Sequence, residues 1–401
     1  MSTQVAVVGQ GYVGLPLAVA AAKSGSIVIG VEVNASRVEL LNLGKSPVED
    51  IADSSISELI SAGKYSATND FASVKNCAVV AICVPTPLGE NSQPDLTALI
   101  AATTSVGKNL AAGTLVIIES TVEPGTTRNV VLPILVNESG LSVDQFDLAF
   151  SPERIDPSNK KWTITNTPKI VAGLTPQALK RSVEFYSTFV SEVTECSSLE
   201  IAETAKLLEN SFRLINISFI NEIAQMCDVM GLNVNEVIDA ASTKPYGFMP
   251  FYPSAGIGGH CIPIDPIYLA HAAKVAGAPS AMIDLAQKIN DDRPEYFVSK
   301  ASTLLGGLVG KKVLVVGIAY KPNVADMRES AALPLIAGLR KSGADVSWHD
   351  DLVGTWNGES SALLTDGHDL VLVVNKHDGV DLAQVGATPV IHTGYVKGQG
   401  K

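Results

Sequence analysis

The sequence has few cysteines, and none are paired at the spacing of a metal or redox motif. The five are Cys77, Cys83, Cys196, Cys227 and Cys261, an odd number that contains no CxxC pair. A disulfide framework or a cysteine zinc site requires paired residues at regular spacing. The pattern therefore predicts reduced thiols, a cytoplasmic location and no metal site.

Long apolar runs are also missing. Hydrophobic residues make up 46% of the chain, yet none of the runs reaches the ~18 residues of a membrane span. The apolar segment 5–22 lacks a basic leader and is interrupted by three glycines, so it does not have the form of a signal peptide. We therefore expect a soluble protein with no membrane partner.

Positive charge is scarce as well. Lys and Arg total 29 against 41 Asp and Glu, which gives a net charge of −12. This balance argues against a nucleic acid or an anionic membrane as a partner. It leaves an anionic small ligand open, since individual Lys and Arg residues can line a pocket. At roughly 100–200 residues per domain, 401 residues predict two or three domains.

The order of predicted elements indicates an α/β protein interrupted by a helical region. Strands alternating with helices predict doubly wound parallel sheets at both ends of the chain. A run without Gly or Pro, 197–230, predicts one very long helix between them. We thus expect two Rossmann-like domains, 1–195 and 306–401, joined by a central helical domain, 196–305. The predicted strands are 5–8, 27–31, 78–83, 115–118, 148–150, 313–316, 345–348, 370–374 and 389–391, and the predicted helices include 16–23, 96–110, 234–241, 267–275, 282–305 and 331–341.

A glycine loop, Gly9-Gln10-Gly11-Tyr12-Val13-Gly14, follows the first predicted strand and opens a helix. Such a loop brings the backbone close to a pyrophosphate at the helix N-terminus. Glu32 ends the second strand about 20 residues on, where it would bind ribose hydroxyls and repel a 2′-phosphate, which predicts NAD over NADP. A structural turn with a surface acid is the alternative. Arg37 either flanks the adenosine phosphate or is a solvated helix residue.

Three segments follow predicted strands, at the end of the sheet that faces the ligand crevice. Thr86 lies in the first, 83–87, and Thr121 in the second, 119–127; their hydroxyls can hold the cofactor and a water, or the segments are ordinary turns. Glu153 and Arg154 lie in the third. Glu153 either acts on a proton or a water or forms a surface pair with Arg154.

On the long helix, Lys206, Asn210 and Arg213 recur at i, i+4 and i+7 and share a face. They are either solvated or supply a cation and an amide to a developing oxyanion.

Cys261 ends the segment Gly258-Gly259-His260-Cys261, where glycines allow the backbone to wrap closely around a ligand. Oxidation of an aldehyde to an acid needs a nucleophile on the carbonyl before hydride can leave, and a thiolate performs that addition. The other four cysteines lie in or beside apolar runs, as small buried residues do. Asp265 can orient a water or assist the thiol, and His260 has no second ligand at the spacing of a metal site.

These motifs together resemble the UDP-glucose/GDP-mannose dehydrogenase family over essentially the whole chain. Within it, residues 244–253 are most similar to the bacterial branch acting on UDP-N-acetylglucosamine, with the branch acting on UDP-N-acetylmannosamine close to it. The matching segments, in order, are GQGYVGLPLA, CVPTPL, ESTVEPGTT, SPERIDPS, AKLLENSFRLINI, GIGGHCIPIDP and VGIAYKPNVADMRES.

The resemblance implies oxidation of a sugar C6 hydroxymethyl to a carboxylate with two NAD, through a thiohemiacetal and a thioester on Cys261. It assigns Lys206 and Asn210 to the oxyanion and the sugar. Thr121, Glu153 and Asp265 would position water and pass protons. The implied substrate contacts also include Arg154, Arg213, Phe251, Tyr252, Gly258 and Lys321, and the implied cofactor contacts are Gly9, Gly11, Tyr12, Val13, Gly14, Glu32, Arg37, Thr86, Thr121 and Arg328.

The resemblance further implies a C-terminal domain that binds the UDP-sugar and a homodimer built on the long helix. Two segments depart from it. Many relatives carry Gly-Pro where this chain has Ser254-Ala255, and 391–394 replaces an arginine-containing segment.

Two other functions stay open at this point. A two-electron hydroxy-acid dehydrogenase would need neither the Cys261 loop nor a C-terminal domain. A non-catalytic NAD or nucleotide-sugar binder would be favoured by degenerate motifs, yet Cys261, Lys206, Asn210 and Asp265 are all present.

Overall fold

The computed structural model describes residues 3–89, 93–155, 159 and 161–395. The end of the SPERIDPS motif, 156–158, and the last six residues of the predicted C-terminal domain lie outside the described residues. The chain divides into two compact units, Met1–Leu208 and Glu209–Lys401. The three-domain division at 195 and 305 stays a prediction.

Unit 1 is built on an eight-stranded sheet with the strand order β3-β2-β1-β4-β5-β6-β7-β8. The order reverses between β1 and β4, and Val8 at the end of β1 pairs with Val31 of β2 and Ile82 of β4. The loops that follow these strands therefore start side by side, as at a ligand-binding switch point. The strands are β1 Gln4–Val8, β2 Ile27–Val31, β3 Tyr65–Thr68, β4 Val79–Ile82, β5 Leu115–Ile118, β6 Asp147–Phe150, β7 Lys169–Gly173 and β8 Val193–Glu195, and the helices are α1 Gly14–Lys23, α2 Ala35–Asn42, α3 Asp53–Ser61, α4 Thr97–Gly107, α5 Leu132–Ser139 and α6 Pro176–Tyr186.

This sheet is not parallel throughout, which corrects the expectation of a purely parallel sheet. Strand β7 runs antiparallel to β6, with Phe150 opposite Ala172. A parallel return needs a crossover of a dozen or more residues, usually a helix. The described part of the connection 151–168 contains no helix, so the chain re-enters the sheet in the opposite direction.

Both faces of the sheet are covered. Along β1, Val5 and Val7 pack in one buried cluster, and Ala6 and Val8 pack in another. A strand buried on both sides has a continuous apolar run instead of alternation, and this is why the strand cores could be read from the sequence.

Unit 2 takes in most of the long helix and the second sheet. The four strands of this sheet are all parallel, in the order β10-β9-β13-β14, and two further strands, β11 and β12, form a separate antiparallel pair. The helices are α7 Leu199–Met230, which begins in unit 1, α8 Val234–Ser242, α9 Asp265–Val275, α10 Ala281–Leu305 and α11 Ala332–Lys341, and the strands are β9 Lys312–Val316, β10 Asp345–His349, β11 Thr355–Trp356, β12 Glu359–Ser360, β13 Leu370–Val373 and β14 Val390–His392.

The predicted fold class is confirmed: two Rossmann-like α/β domains flank a helical region with one helix of 32 residues. None of the helices within the described ranges is both long and apolar enough to cross a bilayer. Over the same residues, His, Cys, Asp and Glu side chains form no group of three or more that could hold a metal ion.

Candidate active site

In the glycine loop between β1 and α1, protein packing restricts two of the three glycines and leaves the third with open space around it. A Cβ on Gly9 would lie 2.7 Å from the carbonyl oxygen of Cys83, and one on Gly14 would lie 1.9 Å from that of Gly9. Gly11 is different, because a Cβ there would meet no atom within 4 Å. The first two glycines are required by packing, whereas Gly11 leaves its side of the loop open for a ligand.

Glu32 closes the glycine loop from the end of β2. Its carboxylate accepts hydrogen bonds from the backbone N–H groups of Gln10 and Asn34, each at 3.0 Å. Arg37 forms an ion pair with it at 3.2 Å. Tyr65 donates a hydrogen bond to Gln10 at 2.8 Å, so the loop is held on its inner side as well. The buried Glu32 lies where the sequence predicted, and Arg37 contacts Glu32.

The remaining predicted cofactor residues of this loop lie at its outer surface and at the start of α1. Tyr12 is exposed, and Val13 is half-buried at the N-cap of α1. The N-terminus of α1 follows directly, where backbone N–H groups favour a phosphate. Together with Gly11, this arrangement fits a dinucleotide.

The loops after β4 and β5 are bonded to each other. The hydroxyl of Thr86 donates to the carbonyl of Thr121 at 2.7 Å, and Ser120 donates to the carbonyl of Val84 at 2.6 Å. The two predicted threonines are thus brought together, half-buried, at the carboxyl ends of neighbouring strands.

Glu203 of α7 holds the second of these loops in place, a role that the sequence analysis missed. Its fully buried carboxylate accepts hydrogen bonds from the N–H groups of Gly125, at 2.5 Å, and Thr127, at 2.9 Å. Burial raises the pKa of Glu203, although these hydrogen bonds oppose the shift. Its position three residues before Lys206 was the available signal, but an isolated helix glutamate is usually solvated.

Glu153 is pre-oriented by its own loop. One carboxylate oxygen accepts hydrogen bonds from the N–H groups of Arg154, at 2.6 Å, and Ile155, at 2.5 Å. The other oxygen is buried and has no hydrogen-bond donor among the described residues. Arg154 donates from its guanidinium to the carbonyl of Pro168 at 2.7 Å. The structure therefore fixes one oxygen of Glu153 and leaves the other as an acceptor without a donor from the described residues.

A buried ionic network lies beneath this loop. Lys169 of β7 pairs with Glu119 at 2.7 Å and donates to the carbonyl of Pro152 at 3.1 Å. Tyr186 donates to the same Glu119 carboxylate. Burial disfavours the charged lysine, but the carboxylates of Glu119 and Glu153 outweigh it and raise the pKa of Lys169. Because Pro152 precedes Glu153, the network fixes the start of the Glu153 loop.

The predicted polar residues of α7 differ in burial. Lys206 and Asn210, one turn apart, are both buried, whereas Arg213 is exposed. A buried lysine is uncommon in a solvated helix face. The solvated alternative therefore loses support for the first two residues and keeps it for Arg213.

Cys261 is exposed, unlike the other four cysteines, three of which are buried and one half-buried. Its carbonyl accepts hydrogen bonds from the N–H groups of Ile264, at 3.1 Å, and Asp265, at 2.8 Å, at the start of α9. The buried Asp265 carboxylate in turn accepts a hydrogen bond from the Asn210 amide at 2.6 Å. Cys261, Asp265 and Asn210, which the sequence analysis singled out separately, thus form one connected group.

The glycines before Cys261 pack against the segment that follows β9. A Cβ on Gly258 would lie 2.5 Å from the carbonyl oxygen of Glu329, and one on Gly259 would lie 2.8 Å from the Tyr320 ring. The N–H of Gly259 donates to the carbonyl of Arg328 at 3.3 Å. The two motifs are therefore complementary, and a side chain at either glycine would separate them.

The predicted nucleotide contacts of this C-terminal segment lie at its surface. Arg328 is exposed and makes a bidentate ion pair with Asp326, the shortest contact being 2.7 Å. His260 lies 3.7 Å from the same carboxylate, and Lys321 is half-buried. Burial lowers the pKa of His260, and the nearby Arg328 adds to the shift.

The aromatic residues predicted to bind substrate contact other rings. Phe251 packs edge-on against Phe212 with ring centroids 5.7 Å apart, and Tyr252 packs against Tyr395 at 4.2 Å. Tyr395 also donates a hydrogen bond to Asp239 at 3.1 Å. Tyr395 directly follows 391–394, and through these two contacts it joins Tyr252 to Asp239.

Comparison with known proteins identifies relatives along the whole chain. Residues 3–190 match the NAD binding domain of the UDP-glucose/GDP-mannose dehydrogenase family, 200–292 match its central domain and 314–391 match its UDP binding domain. UDP-N-acetyl-D-glucosamine 6-dehydrogenase of Pseudomonas aeruginosa is 37% identical over 356 residues, which cover 87% of this chain and 83% of that protein. UDP-N-acetyl-D-mannosamine dehydrogenase of Pyrococcus horikoshii is 34% identical over 386 residues, 93% of this chain and 89% of that protein.

Solved structures agree with the fold. The UDP-D-ManNAc dehydrogenase structure from Pyrococcus horikoshii superposes with a TM-score of 0.88 at 31% identity, covering 98% of this chain and 95% of the other. A UDP-glucose dehydrogenase from Pyrobaculum islandicum superposes with a TM-score of 0.90 at 26% identity, covering 99% and 95%.

Proposed function

The chain belongs to the UDP-glucose/GDP-mannose dehydrogenase family, and from this premise we propose that it oxidises a UDP-N-acetylhexosamine at C6. The product is the uronic acid, and two NAD are consumed for each acid. The observation that carries the proposal is Cys261, exposed in a glycine loop and connected through Asp265 to Asn210. A two-electron dehydrogenase has no use for this thiol.

The favoured substrate is UDP-N-acetylglucosamine. Support comes from the 37% identity to the Pseudomonas aeruginosa dehydrogenase named for that sugar. UDP-N-acetylmannosamine is the alternative, because dehydrogenases named for it are 33% and 34% identical, and UDP-glucose is a further one. UDP-N-acetylglucosamine and UDP-N-acetylmannosamine differ only in the configuration at C2. We therefore expect the shape of the loop 251–261 to determine which of the two is the better substrate.

The chemistry assigned to this chain's residues starts at the C6 hydroxymethyl group. NAD, when bound, takes a hydride from C6 at each of the two oxidation steps. Loss of the first hydride and of the hydroxyl proton gives an aldehyde. The Cys261 sulfur then adds to C6, and the resulting thiohemiacetal oxygen is stabilised by the Lys206 ammonium and the Asn210 amide.

Loss of the second hydride leaves a thioester on Cys261. Water attacks its carbonyl, the C–S bond breaks, and the acid and the thiol are released. We assign the handling of this water and its protons to Thr121, Glu153 and Asp265. The free carboxylate oxygen of Glu153 supports the assignment, since it is buried next to an oxygen that is already fixed by two N–H groups.

The active form is proposed to be a homodimer built on α7. Six apolar residues on this helix are between 46% and 69% exposed, and their spacing of seven and four residues puts them on one side. A stripe of this kind on a single chain marks an interaction surface. The residues are Ile201, Leu208, Phe212, Phe219, Met226 and Met230.

The decisive experiment measures NADH and acid together across UDP-GlcNAc, UDP-ManNAc, UDP-Glc, UDP-GalNAc and GDP-Man. We expect one of the UDP-N-acetylhexosamines to give the highest kcat/KM, with two NADH for each acid. Cys261→Ser should reduce acid formation at least about 100-fold, since it removes the nucleophile. Cys196→Ser, at a half-buried cysteine, should leave acid formation unchanged. One NADH per turnover with a carbonyl product would contradict the proposal.

A further inference from the structure

Three buried polar side chains hold the backbone of the loop that leads to Cys261. Asn221 of α7 accepts a hydrogen bond from the N–H of Ser254 at 2.8 Å, and Asn290 of α10 accepts one from the N–H of Ile257 at 2.6 Å. Arg293 of α10 donates to the carbonyl of Ser254 at 3.0 Å. We call Asn221, Asn290 and Arg293 the loop clamp. These contacts fall on Ser254 and Ile257, on either side of Ala255 and Gly256.

Arg293 is an unusual residue to find in this position. It is 1% exposed, yet none of the described carboxylates forms an ion pair with it. It donates to two backbone carbonyls, those of Ser254 and Asn221, and lies over the rings of Tyr296 and Phe297 at 4.7 and 4.8 Å. Burial lowers its pKa to about 10, so it remains charged at pH 7.

Burying an arginine without a carboxylate is costly, and a hydrophobic side chain would fill the same space between the two helices. Its guanidinium gives instead a directional contact to one loop carbonyl, with fixed planar geometry. The arginine therefore contributes to the position of the loop more than to the packing of α10.

The loop between the clamp and Cys261 has little conformational freedom, so the position of Ser254 affects the position of Cys261. Gly256 has a φ of +143°, and a Cβ added there would lie 3.0 Å from the side chain of Ala331. The N–H of Gly259 is bonded to the carbonyl of Arg328, and the carbonyl of Cys261 is bonded to the N–H of Asp265. A displacement at Ser254 cannot be absorbed by these residues without breaking one of the contacts.

We propose that the loop clamp is a set of positioning residues for the Cys261 thiol, with Arg293 as its directional member. The inference rests on the proposed function, because it concerns capture of the aldehyde formed in the first oxidation. A thiol that is out of position leaves the aldehyde uncaptured for longer, and part of it escapes. The measurable consequence is more than two NADH for each acid produced.

The test uses the full-length enzyme with its best UDP-sugar and compares Arg293→Met with Arg293→Lys. Arg293→Met keeps an unbranched side chain and removes both donors; we expect kcat to fall at least about tenfold, KM for NAD to stay within about twofold, and NADH per acid to rise above two. Arg293→Lys keeps the charge and one donor and should restore most of kcat and a ratio near two. Lys288→Met, which removes an exposed cation from the same helix, is the matched control and should behave as wild type.

Asn290→Ala provides the second variant if Arg293→Met does not fold, since it removes the acceptor of the Ile257 N–H and keeps Arg293. Rates are normalised to the concentration of NAD-binding sites. A smaller fraction of folded protein therefore does not lower the measured kcat. A ratio of two with unchanged kcat in the folded variants overturns the inference, and so does a lower thermal midpoint as the only effect. Failure of the proposed function would show separately, as wild-type enzyme that releases one NADH per sugar or none.

Discussion

At the scale of single residues, each of the two sheets has an acidic residue directly after its second strand. Glu32 after β2 and Asp350 after β10 both accept hydrogen bonds from the loop after the first strand of their sheet. Both oxygens of Asp350 are occupied, one by the N–H groups of Ile318 and Ala319, the other by His377 and the N–H groups of Leu352 and Val353. The carboxylate of Asp350 therefore has a structural role in the second sheet.

The ionisation of Asp350 follows from these contacts. Burial opposes the charged form, but the hydrogen bonds from His377 and the backbone outweigh it and lower the pKa from 3.8 to about 2. A carboxyl group whose folded-state pKa is depressed stabilises the fold above its unfolded pKa. That contribution is lost as the pH falls through the folded value.

Asp350→Asn should therefore destabilise the protein at pH 7 by about 2 kcal/mol, and the thermal midpoint should fall by about 4–8 °C. The gap between variant and wild type should narrow as the pH falls from about 5 toward 3, because the wild type loses its advantage there. Differential scanning calorimetry at several pH values measures both. Asp351→Asn, at an exposed neighbouring carboxylate, should show neither effect; an Asp350→Asn gap that is independent of pH would contradict this account.

At the scale of elements, the long helix α7 carries buried polar residues on one side and an exposed apolar stripe on the other. Lys206 and Asn210 lie within about 40° of each other, and the exposed stripe that includes Phe212 and Phe219 lies on the other side of the helix. Glu203, on the side of Lys206, holds the loop of Thr121 through Gly125 and Thr127. One helix thus fixes polar site residues while it presents an apolar surface to solvent in the single chain.

Phe219→Glu tests the exposed stripe. A charge in the middle of a buried apolar interface costs far more than one on a solvated face, so we expect the dimer to dissociate at micromolar protein concentration. Size-exclusion chromatography with light scattering measures the mass. Leu363→Glu, which puts the same charge at a 79% exposed leucine elsewhere, should leave the mass unchanged. A dimeric Phe219→Glu protein would exclude the stripe as the interface.

At the scale of the whole molecule, each α/β fold is matched by its own nucleotide-binding domain of the family, for NAD at 3–190 and for UDP at 314–391. A ligand that binds only the folded state stabilises it by about 2.7 kcal/mol at 100 times its Kd. NAD and UDP, added separately, should therefore each raise the thermal midpoint, by about 5–10 °C for a unit of this size.

Gly11→Val should remove the shift caused by NAD and keep the shift caused by UDP. The Cβ of the new side chain would meet no protein atom within 4 Å, so we expect the midpoint without ligand to change by less than about 2 °C. Gly354→Val is the control, since it also has open space around it but lies in unit 2, and both ligand shifts should persist there. An unchanged NAD shift in Gly11→Val would mean that NAD does not approach this glycine.

The sequence by itself determined the fold class, the family, the identity of the candidate residues and the central elements such as β1, β9 and α7, although it did not predict the strands β3, β7 and β8. Strands such as β1 are buried on both faces and therefore have continuous apolar runs, and Gly and Pro interrupt the chain at its loops. The Gly9-Gly11-Gly14 loop and the loop of Cys261 each consist of residues that are adjacent in the sequence. Both could therefore be recognised as candidate ligand-binding loops from the sequence alone.

Only the tertiary structure decided which buried polar side chains form hydrogen bonds to the loops of the candidate site. Glu203 bonds to residues 76 and 78 positions away, and Arg293 reaches a carbonyl 39 positions away. The antiparallel strand β7 and the hydrogen bonds of Asp350 also could not be predicted from the sequence, because each depends on a partner that is distant in the sequence. A buried polar group is stable only beside its hydrogen-bond partner, and a partner distant in sequence leaves no local pattern from which it could be read.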